Sequence, residues 1–562
     1  MAETQEQLDK NAKIQKLKTK VINLDTNLES DVMTRLNGVS SNVTERGGFK
    51  KVGYKILRDF FDGDQWSYAK PDNGTMRTYN YCATTVHNYT AFLAGETPEF
   101  DVPPVDINDE IEVIYAEARE NVLKDILKRN KFTTLFEEAV MVGSELGDSF
   151  IIGPFYNKNT KQIWFAPVKN PEQIRPMFST RDYNELVGFI HHFRLTEAKA
   201  RMIWGDALEG VELSPYLSGK VGESQTQMLD VVQYWDDKEM ILLLGGGDNT
   251  TAGSMILDYD EHNWGFIPLQ YVRNIIDPNG PFGISDMEIM LDAQVEYNES
   301  ASYTSDVLRA AALPHIFGKN LEISEFTAGT AQILDLGDES EVFANPMAGI
   351  SAPWETYGAS RQKDVWGLSG INEIMYGGPR VREATGRALS VLMQGVQNRI
   401  RGRQERWKLA LQDLVAGIFR LMEIYVPGGK DLVQGQYGID IFFPSTLVRN
   451  VAEEINKFNS KLQSQTTTMK NMGVPSPTRE KKLINKELQD PITMAEISRN
   501  PGLQMQLMQQ LQQQQQQEGQ QASPSQLTEG GDQEERPMNS PGQASPVNAG
   551  NKSSKPPAQI NE

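Results

Sequence analysis

The side chains able to do chemistry are few and scattered along this chain. Five histidines (His87, His191, His192, His262 and His315) and one cysteine, Cys82, are all its imidazole and thiol groups. Only His191 and His192 are adjacent. They fall in a run with strand character, where neighbours point to opposite faces, so a shared metal ion is not expected there. Cys82 lies on an apolar-patterned helix and reads as a packing residue. A single cysteine forms no internal disulfide, which fits a reducing compartment, and it cannot build the usual cysteine-based zinc sites. The acidic pairs Asp62/Asp64 and Asp258/Asp260 offer oxygen ligands of the kind a cation-assisted hydrolase or nuclease needs, but acidic turns are ordinary surface features. The sequence has no G-x-x-x-x-G-K-[ST] loop, no G-x-G-x-x-G after a strand, no H-E-x-x-H and no G-x-S-x-G elbow. The expectation is a protein that is not an enzyme and carries no cofactor or resident metal.

Charge is more informative than catalytic chemistry. The 562 residues hold 75 Asp and Glu against 55 Lys and Arg, a formal net charge of −20. A chain that gains affinity by neutralising phosphates over its whole surface is excluded. Glu288, Asp292, Glu296, Glu299 and Asp306 are spaced 4, 4, 3 and 7, one face of a helix, with Arg309 the lone base nearby. Glu322, Glu325, Asp335, Asp338, Glu339 and Glu341 follow, opposed by Lys319 alone. The sign then reverses. Between 380 and 408 lie Arg380, Arg382, Arg387, Arg399, Arg401, Arg403, Arg406 and Lys408, against Glu383 and Glu405.

The elements that must position these groups are read from periodicity. Residues 1–45 form a polar, partly helical arm, and their composition is not that of a secretory signal. Helices are expected at 79–94, 109–129 and 132–146, and strands at 150–152, 162–165, 186–190, 229–235, 239–244 and 254–258. A helix of about 26 residues starts at Ser285 and stops before Pro314. A loop-rich stretch, a short helix at 353–366 and a Gly/Pro connector come next. The strongest helical stripe runs from 388 to 426, with bends expected at Gly395, Gly402 and Gly417. Weaker helices are expected at 450–470 and 478–498. From 501 onward the chain is low in complexity, with glutamine from Gln512 to Gln517, and is expected to be disordered. No apolar run is long enough to span a bilayer, so no membrane association is expected.

Six segments, taken together and in order, carry a resemblance. They are YTAFLAGETP (89–98), ELGDSF (145–150), HNWGFIPLQYVRN (262–274), GISD (283–286) with the helix through Tyr297, Asn298 and Ser300–Ser305, LSGINEIMYGGPRVREATGRAL (368–389), and MGVPSPTREKKLINKELQDPITMAEI (472–497). Over residues 50–500 the chain resembles the portal proteins, or head-to-tail connectors, of tailed bacteriophages. The resemblance implies an α+β portal fold. Its parts are an N-terminal arm (1–45), a wing (46–284), a first stem helix (285–312), a clip (313–352), a second stem helix (353–366), a tunnel loop (367–387), a long kinked wing helix (388–428), a crown (429–500) and the tail.

It also implies a function without catalysis. A ring of identical subunits, usually twelve, would sit at the portal vertex of the virion, assembled in the host cytoplasm, with double-stranded DNA passing through it without sequence preference. Terminase would dock during packaging and adaptor or head-completion proteins afterwards, beside the major capsid and scaffold proteins. In that frame Glu288, Asp292, Glu296, Glu299 and Asp306 would line the channel. Asn372, Tyr376, Arg380 and Arg382 would belong to the tunnel loop. The acids Glu322 to Glu341 would form a docking rim, and Arg399, Arg401, Arg403 and Arg406 would pair between subunits. The rival expectation is another structural virion component, a capsid or scaffold protein without a channel.

Overall fold

The computed structural model describes residues 5–37, 52–68, 76–106, 109–179, 185–209, 216–218, 226–245, 255–278, 280–312, 316–319, 341–344, 351–371, 386–444 and 451–460, with single residues between 462 and 484. The chain divides into two compact units at Glu480 and Lys481. Every element below belongs to the first.

In chain order these are α1 (Gln5–Asn37), α2 (Tyr54–Asp62), α3 (Tyr81–Ala94), β1 (Glu99–Asp101), α4 (Glu110–Arg129), α5 (Phe132–Leu146), β2 (Asp148–Asn157), β3 (Gln162–Pro167), β4 (Ile174–Phe178) and β5 (Leu186–Thr196). Then come α6 (Glu197–Trp204), β6 (Tyr216–Ser218), β7 (Thr226–Trp235), β8 (Glu239–Gly245), β9 (Met255–Glu261), β10 (Leu269–Arg273), β11 (Ile275–Ile276) and β12 (Gly283–Ile284). The last are α7 (Leu291–Ala312), β13 (Ile316–Lys319), β14 (Glu341–Ala344), α8 (Ser351–Ser369), α9 (Gly386–Tyr425), α10 (Gly429–Val433), β15 (Asp440–Phe442) and α11 (Val451–Asn459). The architecture is α+β, as expected from the sequence.

The main sheet has the order β4-β5-β7-β8-β9, with β6 also on β7, all antiparallel. A second sheet, β10-β2-β3, packs beside it. Strand period decides how the main sheet is covered. Phe189, Val231, Trp235, Leu242 and Leu244 join the large core shared with β2, β3 and α9. Ile190, Val232, Tyr234, Ile241 and Leu243 point the other way, onto α1. Both faces are therefore buried, which is why β8 reads as the unbroken run Met240–Leu244.

The arm expected at 1–45 is accordingly a packed helix. Ile14, Leu17, Val21, Leu24 and Leu28 recur at steps of three and four and close the outer face of the sheet. The segment's high overall polarity hides that narrow stripe. Strand β4 escaped expectation because it contains Pro176. It lies at the sheet edge, where a missing N–H costs no ladder bond on the open side. Residues 429–444, expected with the crown, instead return to the first half of the chain: β15 pairs with β1, and Val433 is buried in the main core. α9 runs without interruption through Gly395, Gly402 and Gly417, for about 60 Å at 1.5 Å per residue.

Candidate functional site

The helix expected to start at Ser285 is present as α7, beginning at Leu291 and preceded by a single 3-10 turn at Glu288–Met290. Ser285 Oγ lies within donating reach of the carbonyls of Ser144 (3.0 Å) and Glu145 (2.6 Å) and accepts from Met287 N–H (3.1 Å), so it ties the chain before the turn to the end of α5 and does not cap α7. One face of α7 carries a polar ladder. Tyr81, Tyr79 and Arg77 donate their backbone N–H groups to Gln294 Oε1 (3.2 Å), Asn298 Oδ1 (2.9 Å) and Ser302 Oγ (3.0 Å) in turn. Alternate N–H groups of an extended chain recur about every 6.6 Å, and every fourth helical residue about every 6 Å, so the two periods run together. Asn298 is fully buried and also donates to Gln65 Oε1 at 2.7 Å.

α8 lies antiparallel beside α7. Val365 packs among Met287, Met290, Leu291 and Val295, while Tyr357 and Arg361 reach Glu296, the hydroxyl at 2.8 Å and the guanidinium at 3.2 Å. Of the expected acidic stripe, Asp292 and Glu296 are exposed, and Glu288, Glu299 and Asp306 are half-buried. Glu296 is thus committed to α8. Burial, and then the Glu296 charge, push the Glu299 carboxyl above its usual range.

Beneath the helix pair lies a buried hub that the sequence reading did not single out. Arg403 of α9 pairs with the carboxylate of Asp286, and both are buried. The second oxygen of Asp286 accepts from Ser144 Oγ at 2.6 Å. The Arg403 guanidinium also covers the ring of Tyr89, 4.1 Å from its centroid, and the Tyr89 hydroxyl donates to the Ser369 carbonyl at 3.0 Å. Burial pushes the Asp286 carboxyl up, with Arg403 and Ser144 opposing. Alongside, Asp148 accepts from Gly283 N–H (2.6 Å), Tyr271 Oη (2.7 Å) and Tyr54 Oη (2.5 Å). Gly147 has φ +90°, and a Cβ there would stand 2.7 Å from the Gly283 carbonyl, so the turn into β2 requires glycine.

The basic helix divides. Arg399 and Arg401 are exposed. Arg403 is not, which corrects the expectation of an inter-subunit role. Arg406 is half-buried and donates to the Asn274 carbonyl of its own chain. Burial, with Arg403 and Arg273 nearby, lowers its pKa. Asn372, Tyr376, Arg380 and Arg382 lie outside the described residues, as do Glu322, Glu325, Asp335, Asp338 and Glu339. Glu341 begins β14, in register with Lys319.

A second charged cluster joins α1 to the sheet. Arg175 is buried against Asp25, and His192 lies 3.3 Å from Asp25 and 3.4 Å from Asp230. Burial disfavours the His192 cation, but the carboxylates of Asp230 and Asp25 outweigh it and hold its pKa above the usual value. Its neighbour His191 faces the opposite way, into a cavity of about 570 Å³ with Phe155, Trp164 and Trp235, where burial lowers its pKa to about 4. The two histidines do occupy opposite faces of β5.

No protein-family model and no curated protein sequence matches the chain. Among solved structures, a chain from the neck of an empty GTA particle computed with C6 symmetry is similar. The TM-score is 0.43 at 10% identity, and the match covers 75% of this chain and 93% of that one. That likeness is too loose to carry an argument about function. No described helix is long and apolar enough to cross a membrane.

Proposed function

We propose that this chain is the subunit of a phage portal ring that passes DNA without chemistry of its own. The observation that carries the reading is a convergence. Five of the six segments that bear the resemblance, dispersed between residues 89 and 389, supply the hub: Tyr89, Glu145 to Asp148, Tyr271 and Asn274, Gly283 to Asp286, and Ser369. Random short matches have no reason to meet in space. The order of elements above the hub supports the same reading: a helix, a β-hairpin segment, a second helix, a connector and a long helix. In this reading α7 and α8 are the stem, residues 313–352, which include β13 and β14, are the clip that meets terminase and then adaptor proteins, and residues 367–387 are the tunnel loop.

Electron microscopy of the purified protein with native mass spectrometry tests the proposal. A ring with a central pore and a mass of about 760 kDa, twelve copies of 63.0 kDa, is the expected result. A chain that stays monomeric both alone and with capsid and scaffold proteins, or that builds shells, overturns it.

A further inference from the structure

A groove of about 830 Å³ opens on α7 between α8 and the extended segment at residues 77–79. Arg77 and Arg309 stand exposed at its rim, and Leu308, 55% exposed, lies beside them. None of the described lining residues is a carboxylate. A basic concavity is out of character for a chain of net charge −20. Ser300 lines the groove, is 4% exposed, and its Oγ makes no hydrogen bond among the described residues. It is a buried donor without an acceptor, which costs free energy until one arrives.

The acidic residues lie on the other side of the same helix. At 100° per residue, Asp292, Glu296, Glu299 and Asp306 fall within about 80° of one another. Their mean direction is about 150° from that of Tyr297, Ala301, Thr304 and Leu308 in the groove. One element thus presents a carboxylate face and a guanidinium-rimmed groove back to back. A heterologous contact that closes into a ring needs complementary surfaces on opposite sides of each subunit.

We propose that the groove takes the carboxylates of Asp292 and Glu299 from α7 of a second copy of this chain. The contact rests on the ring reading above and reassigns the acidic face from the channel wall to the subunit boundary. Arg77 and Arg309 pair with the incoming carboxylates. Leu308 is covered in the same step. The cations also relieve the repulsion between Glu296 and Glu299 within each copy.

The test is a charge swap read by native mass spectrometry. Wild-type protein is examined first, and its failure to form rings alone or with capsid and scaffold proteins overturns the ring reading and this contact with it. Where wild type forms rings, R77E/R309E and D292K/E299K are each expected to lose them. Mixing the two variants one to one is expected to restore even-numbered rings of alternating composition, because each groove then meets a face of opposite sign. Misfolded variants could not rescue each other. The milder R77Q/R309Q pair is expected to raise the concentration needed for assembly about tenfold, which corresponds to about 1.4 kcal/mol per contact. Rings that survive both reversals, or a mixture that fails to assemble, overturn the contact. Intact variant rings with altered DNA passage would return the stripe to the channel wall.

Discussion

Replacing Asp286 by asparagine leaves the Arg403 cation buried with no counter-charge. Both side chains are almost wholly enclosed, so solvent cannot compensate, and the expected cost is about 3–5 kcal/mol. Arg403→Met strands the carboxylate and should cost a similar amount at pH 8. The two variants differ in pH response. Asp286 has a folded-state pKa raised above its ordinary 3.8, so it loses stability as pH rises through that window. Without Arg403, whose charge holds it down, the carboxyl moves higher still, so Arg403→Met is expected to be milder at pH 5 than at pH 8. Asp286→Asn has no such relief, because arginine stays charged. The double variant Asp286→Asn/Arg403→Met removes both charges and should cost far less than the two singles together. Thermal and urea denaturation of the full-length chain, as a double-mutant cycle at both pH values, decides the matter. Single costs below about 1 kcal/mol, or additivity in the double variant, would refute the hub as a coupled unit.

Two further outcomes follow from the same geometry. Because the His192 pKa is raised, its contribution to docking α1 is complete below about pH 6.5 and is lost as pH rises through the folded value. Hydrogen-exchange protection in residues 14–28, relative to the intrinsic rate at each pH, should be higher at pH 6 than at pH 9, and His192→Gln should flatten that dependence. On α7, Asn298→Ala leaves Tyr79 N–H and Gln65 without their buried partner. It should destabilise by about 1–3 kcal/mol in denaturant titration, whereas Thr304→Ala at the groove should cost less.

Helices α3, α4 and α5 and most strands of the main sheet were legible from period and punctuation. Each has a clear repeat and a marked end, such as Gly95 after α3 or Gly147 after α5. The acids of α7 were legible as a helical face, but not as to what they meet, since spacing alone does not show that Arg361 claims Glu296. The hub was illegible for a related reason. Its members lie more than 300 residues apart at the extremes, as Tyr89 and Arg403 do, and a buried ion pair leaves no periodic trace. A weak signal existed in retrospect: Asp148 and Asp286 each follow glycine-bearing, largely apolar stretches in which a charge is out of place. Arg403 was grouped with its exposed neighbours because local charge counting cannot tell the inner side of α9 from its outer side.

The position of α1 sets a schedule for making the protein. It is synthesised before the strands it covers, which extend to Gly245. At 5–20 residues per second, about 10–40 s separate completion of the helix from completion of its docking surface. For that time the stripe from Ile14 to Leu28 is an adhesive edge with no assigned seat, and on a polysome the nearest alternative is the half-made sheet of an adjacent nascent chain. Early exchange of the helix between neighbours is therefore a hazard written into the order of translation.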